Sequence, residues 1–194
     1  MVILTINYKK CPKCGSENAI PIAYGMPGPE LFKKAEAGKV KLGGCCIEDN
    51  SPEYYCNDCE HEWNKKEVIE NEYSKIKGIK ASVGGFSRGY NKVTIDLTGL
   101  NVEWIIYGGG MEEVAHQKSI DVQAAESFID QLKSVKLLNW KRKYESPGIL
   151  DGTQWEVEII REGRNIVKSG DNAFPDHWYA FCSIISEIVG REFE

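Results

Sequence analysis

The residues of this chain whose type and spacing could do chemistry are two cysteine pairs, Cys11-Pro12-Lys13-Cys14 and Cys56-Asn57-Asp58-Cys59. A Cys-x-x-Cys turn places two thiolates on one tight knuckle. Two knuckles together supply the four sulfurs of a tetrahedral zinc site, at about 2.3 Å per Zn–S bond. Pro12 stiffens the first knuckle, and Gly15 follows Cys14 where the chain must turn back toward the metal. In the second knuckle Glu60 stands where a glycine is common, so a less regular turn is expected there. Seven cysteines could also form disulfides. The odd count, the spacing, and a start (Met1 to Tyr8) that lacks basic residues ahead of its short apolar stretch favour reduced thiols and metal. Cys11, Cys14, Cys56 and Cys59 are therefore the expected ligands of one structural Zn2+ per chain. An all-cysteine set is closed and leaves no position for a reactive water.

The other reactive side chains carry weaker patterns. Cys45 and Cys46 are adjacent, and a vicinal pair does not readily chelate one zinc with both sulfurs, so they are expected to be small, partly buried residues. His61 is an alternate ligand only if one of the four cysteines is not used. Cys182 falls on an apolar helix face and reads as core. His116 and His177, with Asp96, Glu103, Asp151 and Glu158, would be the raw material of an acid–base site. Their spacing supports none: there is no helical His-x-x-x-His, nucleophile elbow, phosphate loop or dinucleotide fingerprint. No catalytic or cofactor-binding residue is assigned. Lys133, Lys136, Lys141, Arg142 and Lys143 surround Trp140 in a basic cluster that a nucleic acid could use. The favoured alternative is cross-strand pairing of Lys141 and Lys143 with Glu156 and Glu158.

Composition narrows the function classes. Hydrophobic residues are 42% and charged residues 27% of 194, ordinary for a globular protein and enough for one domain or two small ones. No run of 18 apolar residues is present, so no membrane span is expected and the cytoplasm is the default location. The net charge is −5. Residues 1–77 hold 11 basic and 12 acidic side chains, leaving 13 of the 24 basic and 17 of the 29 acidic for residues 78–194. Neither half has a field that would draw it to phosphate.

The elements that must position the cysteines follow from periodicity. Residues 1–10 read as a strand. Between the pairs, 41 residues form more than a minimal ribbon requires: a strand over 20–24, a helix from Pro29 to Ala37 stopped by Gly38, and a strand over 39–42. Strands flank the second knuckle at 53–56 and 61–63. Ile69, Tyr73 and Ile76 at helical spacing make 66–78 a connector helix. From residue 79 the period changes to two. Strands are expected over 82–87, 93–98, 102–106, 138–144, 155–159 and 166–168. One helix follows Ser119 as its cap, and a second begins at Pro175. The expected fold class is α+β. A zinc ribbon with a strand–helix–strand insertion (1–65) and a connector (66–78) precede a two-layer domain (79–194). That domain is built of two strand-strand-strand-helix units, about six antiparallel strands with two helices on one face.

Ile20-Pro21-Ile22, Tyr24-Gly25, Pro27-Gly28, Glu30-Leu31 and Leu42-Gly43-Gly44-Cys45, framed by the cysteine pairs and ending at Trp63, resemble a group of uncharacterised bacterial zinc-ribbon proteins. The resemblance covers roughly residues 11–63. It implies the metal role of Cys11, Cys14, Cys56 and Cys59 and no activity. The resulting expectation is a zinc-binding, non-enzymatic protein-interaction module with a protein partner. A nucleic-acid-binding or transcription-associated ribbon protein is one alternative. An enzyme with a site in residues 79–194 is the other.

Overall fold

A computed structural model describes residues 6–85, 89–146, 148 and 152–193. The chain divides into two units, one spanning Ile6–Ser74 and one running from Lys75 onward. Four α-helices and two sheets make up the described residues, a mixed α+β architecture.

The first unit holds β1 (Ala19–Ala23), α1 (Pro29–Glu36), β2 (Lys41–Leu42), β3 (Tyr54–Cys56), β4 (Glu62–Trp63) and α2 (Lys65–Ser74). Its sheet runs β2-β1-β3-β4, with β1 and β2 parallel and the other neighbours antiparallel. Local chemistry explains the helix ends. Pro29 opens α1 with Glu30 in its first turn, where the helix dipole favours an anion, and Gly38 just beyond it has φ +66°. Asn64 caps α2, its side chain accepting the Glu67 amide at 2.9 Å. The helix turns Val68 into a small core with Cys11, Cys56 and Trp63, while Ile69 is only half-buried. It ends at Ser74, and Ile76 already belongs to the next strand. The strand expected over residues 1–10 falls partly on Met1–Thr5, outside the described residues. Residues 6–10 form a turn, with the Lys10 amide donating to the Asn7 carbonyl.

The second unit is a seven-stranded sheet with two helices. Its elements are β5 (Ile76–Gly85), β6 (Gly89–Asp96), β7 (Asn101–Gly108), β8 (Met111–Ser119), α3 (Val122–Ser134), β9 (Lys143–Glu145), β10 (Gln154–Arg161), β11 (Ile166–Asp171) and α4 (Trp178–Val189). The order is β8-β7-β6-β5-β10-β11-β9. Register places Ile79, Ala81 and Val83 beside Ile95 and Val93 on one side and Ile159, Val157 and Trp155 on the other, and Val102 and Trp104 continue the row. All are buried, whereas the residues alternating with them, such as Lys80, Lys92, Glu103 and Glu156, are exposed. Only one face is covered, so Phe128 and Leu132 of α3 and Phe181 and Ile185 of α4 pack on that face. Trp178 of α4 meets Trp155 at 4.6 Å between ring centres.

The sheet departs from the expected six antiparallel strands in three ways. A strand, β8, occupies residues expected to be a polar loop. Every residue from Glu112 to Ser119 is exposed, so no apolar alternation marks it. Ser119 ends β8, and the cap of α3 is Asp121, whose carboxylate accepts the Ala124 amide at 2.7 Å. Residues 138–144 are not a long strand: a 3-10 turn at Leu137–Asn139 precedes the short β9, which pairs parallel to β11. Leu137, Leu138 and Trp140 are all buried, which no two-residue period accommodates on a strand with one covered face.

Candidate metal centre

The two knuckles are built alike. In the first, the Gly15 amide donates to the Cys11 carbonyl at 2.9 Å and the Cys11 amide to the Ser16 carbonyl at 2.8 Å. In the second, the Glu60 amide donates to the Cys56 carbonyl at 2.9 Å and the Cys56 amide to the His61 carbonyl at 2.9 Å. Gly15 has φ +76° and Glu60 φ +60°. The turn needs a left-handed residue at this place, and Glu60 takes that conformation at a steric cost glycine escapes. The irregularity expected of the second knuckle is thus absent from its hydrogen bonding and present as local strain.

The four sulfurs converge. Cys11 Sγ lies 3.6 Å from Cys59 Sγ, and Cys14 Sγ lies 3.6 Å from Cys56 Sγ. All four lie within 4.8 Å of one another. A tetrahedron of 2.3 Å Zn–S bonds has edges of about 3.8 Å, so the cluster has the span of a four-sulfur metal site. Cys11 and Cys56 are buried, Cys59 is half-buried and Cys14 is exposed, leaving one side of the site open to solvent.

Close packing of the sulfurs divides their protons unevenly. Desolvation pushes the Cys56 thiol up, but the Asp58 and Cys59 amides and the Cys14 and Cys59 sulfurs together hold it down at about 7. The Ser16 amide pulls the Cys14 thiol down, yet the Cys59 sulfur, desolvation, and the Cys56 and Cys11 sulfurs push it up to about 12. Cys59 also ends above the ordinary thiol value: the His61 amide and the Cys14 sulfur oppose the rise, while desolvation and the Cys11 and Cys56 sulfurs drive it. A cation entering this cluster displaces protons, so binding is pH-dependent.

A polar clip joins the knuckles. Asp58 accepts hydrogen bonds from the Ser16 hydroxyl and, at 2.7 Å, from the Asn18 side-chain amide. These two donors hold its carboxyl below the usual value. The Asn57 backbone and side chain both donate to Asn18, at 3.0 and 3.1 Å. In the sequence, only the polar residues inside and just after the Cys-x-x-Cys turns signal this clip. Trp63 closes the small core from β4, its indole N–H donating to the Tyr8 carbonyl at 2.9 Å.

The other candidates stay apart from the cluster. His61 Nε2 is engaged with Glu67 at 2.8 Å and its ring stacks on Trp63. Cys45 and Cys46 are exposed rather than partly buried, because their segment carries no buried residue to pack them. Cys182 is buried in α4. His116 lies exposed on β8 against the Trp104 ring, and His177 is exposed at the start of α4. Asp96 is occupied by the Thr98 and Gly99 amides and the Thr98 hydroxyl. Asp151 lies outside the described residues. Gly108, Gly109 and Gly110 all have positive φ and form the turn between β7 and β8.

The basic cluster is also rearranged. Lys143 is on β9, which does not border β10, so Lys141 and Lys143 do not pair with Glu156 and Glu158. Lys143 pairs with Glu145 at 2.5 Å, and Glu158 with Lys80 of β5 at 3.6 Å. Trp140 is buried, edge-on to Trp155 and Phe181, and offers no face for a base to stack on.

Lys168, on the covered face of β11, was not singled out in the sequence. It is fully buried, and its ammonium donates to the Leu138 and Trp140 carbonyls at 3.2 and 2.5 Å. Burial, with the Arg142 charge adding to it, lowers its pKa to about 8.

No family model matches the chain, and no curated protein matches it. Of the resemblance over residues 11–63, the structure supports the cysteine pairs, which it gathers into one zinc-ribbon-like cluster. No helix among the described residues is long and apolar enough to cross a membrane.

Proposed function

We propose that the protein is a non-enzymatic protein-interaction module whose first unit is held together by one structural zinc ion on Cys11, Cys14, Cys56 and Cys59. The observation that carries the metal assignment is the convergence of four sulfurs within 4.8 Å of one another on two matched knuckles. Thiolates at such spacing favour zinc over the harder, oxygen-seeking cations. When bound, the ion supplies folding free energy and no reaction, because four protein sulfurs fill its coordination shell.

The interaction reading is supported by the segment between the knuckles. Helix α1 has no buried residue although its pattern is amphipathic. Phe32 on it is 51% exposed, and Met26 and Ile47 in the flanking loops are 95% and 71% exposed. Large apolar side chains held out on an ordered segment mark a surface that a partner covers. Affinity purification from the host is the test. A protein should co-purify with the full chain and be lost from the Phe32→Glu and Met26→Glu variants, with zinc content unchanged. A chain that repeatedly emerges alone, or a bound protein indifferent to both variants, contradicts the reading.

A further inference from the structure

The two edges of the seven-stranded sheet are very unlike. Edge β9 is three residues long and charged at both ends (Lys143 and Glu145), the usual protection against pairing with another chain. Edge β8 is nine residues long, carries no proline, and is exposed from Glu112 to Ser119. Val114 on it is 44% exposed.

The hydrogen-bonding row that β8 leaves free among the described residues can be assigned. The Ile120 amide donates to the Leu100 carbonyl at 2.9 Å, in the same register as the pairs Val102–Lys118, Trp104–His116 and Ile106–Val114. Alternation in an antiparallel ladder then turns the backbone groups of Val114, His116 and Lys118 toward β7. Those of Glu113, Ala115, Gln117 and Ser119 turn outward.

We propose that β8 is a self-association edge, on which a second copy of the chain pairs antiparallel about Ala115. A two-fold axis there sets Ala115 opposite Ala115 once, on the axis, and Glu113 opposite Gln117 and Glu112 opposite Lys118 twice each. Every pair that exchanges backbone hydrogen bonds in this register comes from the outward row. Charge selects it. Glu112 meets Lys118 at the close, non-hydrogen-bonded spacing, where opposite charges stabilise a ladder. A parallel arrangement would set Glu112 against Glu112. Among the described residues neither Glu112 nor Lys118 makes an ion pair within the chain. The product is an isologous dimer with one continuous sheet. The edge belongs to the second unit and the apolar residues Met26, Phe32 and Ile47 to the first, so either proposal can fail alone.

The experiment is sedimentation equilibrium of the zinc-loaded full chain across a dilution series, with four variants. The parent should have twice the mass of one chain at high concentration and dissociate on dilution. Ala115→Pro removes only an outward donor, so it should give a folded monomer by circular dichroism. Glu112→Lys and Lys118→Glu should each weaken the dimer at least tenfold. Mixing those two variants, or combining both changes in one chain, should restore it. A parent that is monomeric at every concentration overturns the proposal, as does a dimer indifferent to Ala115→Pro. Charge variants that weaken the dimer without mutual rescue overturn the register.

Discussion

The first unit buries little more than Cys11, Cys56, Trp63 and Val68 around its four sulfurs. The second packs two helices on one sheet face and gathers Trp140, Trp155, Trp178 and Phe181 into a cluster whose contacting rings lie 4.6–6.2 Å apart, centre to centre. Both are ordered, but for different reasons. A small unit with few apolar side chains cannot offset its conformational entropy by burial alone and needs a cross-link or a metal. A seven-stranded sheet under two helices does not. The two halves should therefore respond to opposite perturbations.

The largest effect should come from the metal. Cys56→Ser, or a strong chelator, should unfold the first unit, since a structural zinc site of this type contributes on the order of 10 kcal/mol to folding. The tryptophan signals of the second unit should persist. Simultaneous loss of both would break the contrast. The reciprocal change is Phe181→Ala. Phe181 is fully buried, so its loss should cost the second unit about 3–5 kcal/mol in denaturant unfolding and leave the zinc content unaltered.

A smaller effect concerns Lys168. Its folded pKa, about 8, lies below the ordinary lysine value of 10.5. Below pH 8 both states are protonated and the burial penalty is fully present. Between pH 8 and 10.5 the unfolded state binds more protons, so stability should rise with pH, by about 2–3 kcal/mol over the window. That rise should vanish in Lys168→Met, which removes the titrating group; a parallel rise in both would assign it elsewhere. The smallest effect should be Glu60→Gly, which relieves a left-handed residue at φ +60°. It should stabilise the zinc-bound first unit by about 1 kcal/mol, while Gly15→Ala at φ +76° should do the opposite.

The same contrast explains what could be read from the sequence. The four-cysteine cluster was legible because metal chemistry dictates both residue type and spacing. Helix α1 was legible through Pro29 and Gly38, and the central strands through alternation such as Val93-Thr94-Ile95-Asp96. The rest failed where side chains do not report backbone. Strand β8 is exposed from Glu112 to Ser119, so nothing there distinguishes it from a polar loop. Leu137, Leu138 and Trp140 are buried by tertiary packing that no local period encodes. The parallel pairing of β9 with β11 moved Lys143 away from the carboxylates it was expected to meet. Lys168 is placed by two backbone carbonyls 28 and 30 residues away, and no local pattern announces that.

The central claim, that one unit is held by metal and the other by its core, is tested most directly by metal and thiol counts on one reduced, purified sample. Elemental analysis should find about one zinc per chain. With zinc bound, a thiol reagent should modify the exposed Cys45 and Cys46 rapidly, while the buried Cys182 stays protected. Adding a chelator should make Cys11, Cys14, Cys56 and Cys59 reactive as well. A zinc-free chain with an ordered first unit, or four cysteines that react equally fast with and without chelator, would contradict the account.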